Sequence, residues 1–284
     1  MAMYQAKARG RDCWHVYDRT ATRHSGDRLR LLGELRNALS HGGLQLHHQP
    51  RVDLRTGTVM GFEALVRWQH PRLGRLAPAA FITLAEDSGL IRELGGWVLR
   101  EACRQAADWH ARDPDRRPLE IAVNLSARQL ADRHLTALLA DILTHAGLNP
   151  ETLTLEVTET ALMSDADAAL GVLHALKDLG VRLAIDDFGT GYSSLVYLKR
   201  FPVDELKIDR SFVDGLGRET EDTAIVTAIV QLGAAVGVQV VAEGVETDEQ
   251  RDVLLALGCR LGQGYLFAPP LPASRLRLHH GDPR

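Results

Sequence analysis

Short apolar runs that stop at an oxygen-bearing side chain recur along this chain, and they constrain its fold more than any other feature. The clearest is Leu183-Ala-Ile-Asp186-Asp187, followed by the glycine-rich Phe188-Gly189-Thr-Gly191-Tyr-Ser-Ser194. The apolar run reads as a buried strand. Two adjacent carboxylates at its mouth repel each other unless a positive charge sits beside them, and a divalent cation with oxygen ligands is the usual solution. The pattern repeats: Ile121-Ala-Val123 ends in Asn124, Leu153-Thr-Leu155 ends in Glu156, Val238-Gln-Val-Val241 leads to Glu243, and Val59-Met-Gly-Phe62 leads to Glu63. Several strands thus deliver an oxygen donor to one end of one sheet.

Between these strands lie helix-compatible stretches at 78–88, 94–112, 127–146, 165–179, 193–199, 220–236 and 247–257. Ser126-x-x-Gln129 and Thr247-x-x-Gln250 are capping-box signatures. The expected strands are 120–124, 152–156, 182–186, 205–208, 239–243 and 264–267. Such alternation implies a parallel sheet with helical crossovers. The number of units fits an α/β, TIM-type (β/α)8 barrel whose site lies at the C-terminal strand ends. An open doubly wound sheet is the alternative, but a closed sheet makes many strand ends converge. Residues 44–63 read as a hairpin, so one barrel strand is expected to run antiparallel. A leucine-rich helix is expected over 28–40, preceded by a polar linker.

The 284 residues allow two average domains or one large barrel, and a net charge of −4 argues against a nucleic-acid polymer as partner. Three scattered cysteines, Cys13, Cys103 and Cys259, have no metal-type spacing and suit a reducing cytoplasm. No apolar run reaches the length of a membrane span. The histidines show no zinc spacing, and His47-His48 and His279-His280 read as surface or incidental residues.

One hard cation takes about six oxygens, water among them, so the six donors Glu63, Asn124, Glu156, Asp186, Asp187 and Glu243 are generous for one ion and suit two. Two ions roughly 3.5–4 Å apart would clamp the attacking and leaving oxygens of a phosphoryl displacement. Lys207, in the apolar strand Leu206-Lys207-Ile208, must pair with acids or act on a water, unless it snorkels from the strand end. Arg67 is either a phosphate ligand or a surface arginine. Residues 189–194 lack the ending of a P-loop and read as a mobile loop over the site.

Assembled, these residues resemble the EAL family of cyclic-di-GMP phosphodiesterases. The signature Glu63-Ala64-Leu65 stands in Gly-Phe-Glu-Ala-Leu-Val-Arg-Trp. It is joined by Asn124-Leu-Ser126, Leu155-Glu156-Val-Thr-Glu159, the Asp186-Asp187 block, Leu206-Lys207-Ile-Asp209, Ala242-Glu243-Gly-Val-Glu246 and Gly262-Gln263-Gly-Tyr-Leu-Phe. The resemblance implies a barrel holding two Mg²⁺ or Mn²⁺ ions at the six oxygen donors. It makes Glu63, Lys207 and Glu243 catalytic, with Lys207 orienting or deprotonating the water. Gln49, Arg67 and Gln263 become substrate contacts, and Glu159 and Glu246 position the loop after the Asp pair. The sequence departs from the family at His48, where tyrosine is usual, and at Ala268 and Pro269.

The expected reaction is hydrolysis of cyclic di-GMP to linear pGpG by in-line attack of a metal-activated water. The alternative is a non-catalytic cyclic-di-GMP receptor, but such proteins lose a ligand or the lysine, and none is lost here. A homodimer is expected. Residues 1–18 resemble the last helix of a GGDEF domain (Ala2-Met3-Tyr4-Gln-Ala6-Lys7). The expected division is therefore this remnant, a linker at 19–27, the barrel at 28–278 and a tail at 279–284, with GGDEF or sensor domains upstream in a fuller protein.

Overall fold

The computed structural model describes residues 19–115, 117–191 and 195–276, so the segment resembling a GGDEF helix and the histidines at 279–280 lie outside the described residues. Helix α1 (Arg19–His41) runs through the stretch read as a linker. It buries Leu35 and Ala38 and is stopped by Gly42 and Gly43, both at positive φ. Strands β1 (Leu44–Asp53) and β2 (Val59–His70) then form the expected hairpin, in register from Leu44↔Trp68 to Val52↔Val59. Its turn is built by the Asp53 carboxylate, which accepts the N–H groups of Arg55 and Thr56. A short β3 (Gly74–Leu76) extends the hairpin.

From there strand and helix alternate. The helices α2 (Ile82–Ser88) and α3 (Ile91–Arg112) precede β4 (Glu120–Asn124). Next come α4 (Ala127–Leu130), α5 (Leu135–Ala146), β5 (Leu153–Thr158), α6 (Glu159–Met163) and α7 (Ala166–Asp178). They are followed by β6 (Arg182–Phe188), α8 (Leu195–Arg200), β7 (Glu205–Ile208), α9 (Arg210–Asp214) and α10 (Thr220–Val236). The chain ends with β8 (Gln239–Ala242), α11 (Asp248–Leu257), β9 (Leu261–Gly262) and β10 (Leu271–Pro272). Strands β2 and β4 to β9 pair in parallel, and β1 pairs antiparallel with both β2 and β9, which closes an eight-stranded barrel. The expected barrel with one antiparallel strand is the observed fold.

Two further elements differ from expectation. The stretch at 127–146 is two helices, because the Asp132 side chain accepts the N–H of His134 and restarts the chain there. The last barrel strand is 261–262, not 264–267. Beyond Gln263 the chain turns across the exit of β8, with Leu266 donating to the Val245 carbonyl. A Cβ on Gly264 would fall 2.1 Å from that same carbonyl oxygen.

Residues paired across parallel strands face the same side, so the register identifies the lumen. Outward-facing Leu153, Leu155, Val157, Leu183 and Ile185 pack beneath the helices in one large apolar cluster. Inward-facing positions are largely polar or small. One is Gly61, where a Cβ would lie 2.3 Å from the backbone oxygen of Glu120. Gly61→Ala should therefore force the β2–β4 pair apart at a cost of about 2 kcal/mol, lowering the thermal midpoint by roughly 4–8 °C. Gly33→Ala, where a Cβ meets nothing within 4 Å, is the control. Equal midpoints for the two variants would refute the close-approach argument.

Candidate active site

The C-terminal mouth of the barrel gathers the oxygen donors of five strand ends. On β2, Glu63 sits mid-strand, since β2 continues into its hairpin partners; it is nevertheless near the end of the β2–β4 ladder. Its carboxylate accepts from Asn124 Nδ2 at 2.6 Å and from Gln263 Nε2 at 2.7 Å. On β7, Lys207 is wholly buried, and its ammonium lies 2.7 Å from Glu156, 3.0 Å from Asp186 and 2.5 Å from Glu243. The strand-end snorkel is thereby excluded.

Strict alternation would turn Asp187 away from the lumen. A bulge in the β6–β7 pairing between Ile185 and Phe188 prevents this. Asp187 takes φ +54, a left-handed conformation that aspartate tolerates better than most residues. Its carboxylate then joins those of Asp186 and Glu243, with one oxygen of each within 4.8 Å of the others. The following loop is held by Glu159, which accepts the N–H of Gly189 at 3.1 Å. Glu246 lies at the rim and pairs with Arg210 at 2.9 Å.

Charge is unevenly matched here. Burial lowers the proton affinity of Lys207, but Glu156, Glu243, Glu63 and Asp186 outweigh it and hold the ammonium well above its usual range. Burial pushes Glu156 well up, aided by Glu63 and Asp186 and opposed by Lys207. Burial likewise pushes Glu243 up to about 8, and burial with Asp186 and Asp209 pushes Asp187 up to about 6. Burial also raises Glu63, but Lys207 and the two amide donors prevail and hold it low. Five carboxylates face one ammonium, and three of them hold protons more tightly than free acids do. All offer hard oxygens, as does the Asn124 carbonyl, so the donor set fits divalent Mg²⁺- or Mn²⁺-type cations.

A cavity of about 260 Å³ opens over this layer, lined by Gln49, Glu63, Asp186, Glu243, Gln263 and Tyr265, with Arg210 and Glu246 at its edge. Gln49 also donates to the Ala268 carbonyl. Arg67 faces the same side of β2 as Glu63 two residue pairs further on, half-buried, with Nη1 on the Val66 carbonyl. A larger, more open depression of about 660 Å³ lies on the outer wall by α10, lined by Thr220, Thr223, Thr227 and Gln231. It has no cluster of acids, so the chemistry belongs to the smaller cavity.

Sequence reading missed Arg210 and Tyr265, although each directly follows a motif residue or lies two beyond one. It also misplaced His47 and His48, which are 3% and 1% exposed. His48 points away from the lumen, its ring 5.0 Å from Trp109 and 6.4 Å from Phe62, and burial lowers its pKa to about 4. The departure from the family's tyrosine therefore touches the barrel–helix layer rather than the cavity.

The raised carboxyls have a measurable consequence. Between 4.5 and about 8 the folded protein keeps a proton on Glu243 that the unfolded chain has released, so raising pH through this window favours unfolding. Glu63, Glu34 and Asp53 are held low and act only below their ordinary values, and Lys207 stays charged throughout. Burial lowers the pKa of His47 and of His48, the latter to about 4, so below about pH 6.5 these histidines oppose the slope. The thermal midpoint of chelator-treated protein should therefore fall between about pH 6.5 and about pH 8.5, and Mg²⁺ should remove most of that slope. A flat profile in chelator would contradict this electrostatic account.

Comparison with known proteins agrees with the geometry. The family model described as EAL domain matches residues 32–270. The bifunctional diguanylate cyclase/cyclic di-GMP phosphodiesterase MucR of Pseudomonas aeruginosa is 47% identical over 275 residues, 97% of this chain and 40% of that protein. The cyclic di-GMP phosphodiesterase NbdA of the same organism is 45% identical over 97% of this chain and 35% of its own length. The chain thus spans well under half the length of these relatives. The structure described as PaMucR phosphodiesterase in complex with c-di-GMP superposes with a TM-score of 0.83 at 49% identity, covering 87% of this chain and 99% of that one. With a closed mixed barrel, the acid-and-lysine mouth and a family match over most of its length, this chain belongs to the EAL domain family.

Proposed function

We propose that this chain is a cyclic-di-GMP phosphodiesterase that hydrolyses one phosphodiester to give linear pGpG. The observation that carries the reading is the undiminished constellation at the barrel mouth: Lys207 within 3.0 Å of Glu156, Asp186 and Glu243, and Glu63 held by Asn124 and Gln263. A receptor that only binds the dinucleotide has no need of a buried lysine among four acids, an arrangement costly to fold. The relatives' names, MucR and NbdA, support the same substrate.

Glu63, Asn124, Glu156, Asp186, Asp187 and Glu243 would hold two divalent cations, Mg²⁺ or Mn²⁺. When bound, these supply Lewis acidity at the phosphate and an acidified water. The chain's own groups do the rest. Lys207 Nζ is a fixed cation that donates towards the attacking oxygen and stabilises negative charge developing there. In its all-acid surroundings it keeps its proton, so its first role is orientation; accepting a proton would require other cations to neutralise Glu156 and Glu243 first. Gln49, Gln263 and Arg67 fix the substrate over the layer, and Tyr265 offers an exposed aromatic face at the mouth. Glu159 sets the position of the loop leaving Asp187.

A homodimer fits the outer surface. Helix α10 has no charged residue between Thr223 and Val238, yet Ile225 and Val236 are exposed. Its inner side reaches the loop: a Cβ at Gly189 would lie 3.4 Å from Ile229. A second copy on α10 would bias the loop and hence Asp186 and Asp187. The buried free thiols of Cys103 and Cys259 suit a cytoplasmic setting, and among the described residues no helix is long and apolar enough to cross a membrane.

Purified protein incubated with cyclic di-GMP and Mg²⁺ or Mn²⁺ should yield pGpG. Lys207→Ala should lower kcat by about 10²–10³-fold while still binding cyclic di-GMP in Ca²⁺. Binding without any turnover in wild type would favour the receptor. Glu159→Ala should lower both turnover and metal affinity, and wild-type activity should fall with dimer dissociation across a dilution series followed by sedimentation. A fully active monomer would refute the coupling and leave the catalytic assignment standing.

A further inference from the structure

Beneath the catalytic layer the lumen holds a second polar layer that the reaction does not use directly. The register fixes its members. Each of three strands gives one residue to the upper layer and the residue two positions away to the lower: Gln49 and Arg51 on β1, Glu156 and Thr154 on β5, Lys207 and Glu205 on β7. Arg51 is 1% exposed, and Thr154 and Glu205 are fully buried. Inward-facing Gly61, Ala122 and Ala184 leave the width a long side chain needs to cross the barrel. Arg51 uses it to pair through Nη2 with Glu205, whose other oxygen lies 2.9 Å from Arg182.

That pairing leaves a complementary remainder. Arg51 Nε and Nη1 have no hydrogen-bond partner in the protein, nor do Glu156 Oε1 and Thr154 Oγ1, and all four atoms are buried. The Arg51 charge reaches both Glu156 and Glu63. Orphaned donors and orphaned acceptors at adjoining levels of one closed lumen are what a buried water satisfies, since it needs two to four polar partners. The other oxygen of the same Glu156 is the one held 2.7 Å from Lys207.

We propose that Arg51 and Thr154, through a bridging water, form a shelf under the catalytic layer that fixes the orientation of Glu156 and, through it, of Lys207. Arg51 is then a positioning residue: it touches no substrate, and it acts by denying Glu156 the rotations that would aim Oε2 away from the ammonium. Glu205 keeps the guanidinium in place, and because Arg182 also pairs with Glu120 at 3.2 Å, the two guanidinium groups meet two carboxylates and the shelf orients without adding net charge to the lumen. The role rests on the catalytic reading of Glu156 and Lys207 given above.

The test has two readouts that need no turnover. A crystal structure of the wild type at about 1.5 Å should show a water within hydrogen-bond distance of the Arg51 guanidinium and of Glu156 Oε1 or Thr154 Oγ1. Mn²⁺ titration followed by paramagnetic resonance should show affinity weakened about tenfold in Arg51→Met/Glu205→Met, which replaces the ion pair by apolar groups of similar length. Thr154→Val, nearly isosteric and the variant to rely on should the pair fail to fold, should weaken it about threefold. Arg51→Lys should fall between, keeping the charge and losing the fork. In turnover assays these variants should lose kcat with KM for cyclic di-GMP little changed. Guanidinium and carboxylate in direct contact with no water between them, or wild-type Mn²⁺ affinity in folded Thr154→Val and Arg51→Met/Glu205→Met, would overturn the proposal. A wild type that leaves cyclic di-GMP intact yet shows the water and the weakened Mn²⁺ binding would sink the assigned reaction and uphold the shelf.

Discussion

Crowding of like charge inside a closed barrel governs this molecule. Parallel strands with a two-residue side-chain period must send half of their residues into the lumen. In a barrel that serves only as a core those residues are branched and apolar. Here they are Glu63, Glu156, Asp186 and Glu243 above, and Arg51, Thr154 and Glu205 below. Among the described residues, Lys207 is the ammonium set among the upper acids, and its contacts with three of them offset part of their mutual repulsion. The remaining imbalance is taken up by protons on Glu156, Glu243 and Asp187, or by cations of higher charge. Either way, the same electrostatics that costs the barrel stability makes its mouth a candidate site for a divalent cation.

Stability has to come from elsewhere, and the outward faces provide it. Leu153, Leu155 and Val157 alternate with Thr154 and Glu156 on the same strand, so one strand serves both the apolar cluster and the site. Division of labour by alternation also explains the bulge at Asp187. A regular β6 could present Asp186 or Asp187 to the lumen but not both, and the left-handed residue breaks the alternation once, at the strand end, where little of the ladder is lost. Gly189 follows at φ +99 and its N–H is caught by Glu159, so the irregular segment leaves the site in a defined direction.

Most of the architecture and the site could be read from residue order, because both rest on local periodicity. The hairpin that inverts β1, the strands at 120–124 and 205–208 and the helix at 220–236 stand where their patterns put them. What escaped were features decided by closure. Tyr265-Leu266-Phe267 has the composition of a strand, but β9 pairs with β1 only at Leu261 and Gly262, and the chain then turns so that Leu266 donates to the Val245 carbonyl before β10 rejoins β1 at Leu271 and Pro272. Arg51 and Glu205 carry no local signal of partnership at a sequence separation of 154. His48 looks like a surface residue until the strand's outward face is covered by Trp109. Which oxygen donors converge was legible from strand ends; which neighbours hold them was not.

The helix layer, for its part, is more than a cover. Gly189, at the start of the loop beyond Asp187, sits against Phe212 of α9 and Ile229 of α10, and a Cβ there would come within 3.1 Å of the phenylalanine. Displacement of α9 or α10 is thus felt by the loop, and displacement of the loop by the Phe212 ring and the Ile229 side chain. Arg210, on the first turn of α9, spans from Glu246 at the cavity rim to Asp214, its stem lying where a side chain on Gly244 would have to be. The cavity is therefore fastened to α9 at its edge and to α10 through its loop. Because packed interiors shift between discrete arrangements rather than deforming smoothly, any partner that settled on the uncharged face of α10 would bear through Ile229 on Gly189, two residues from Asp187.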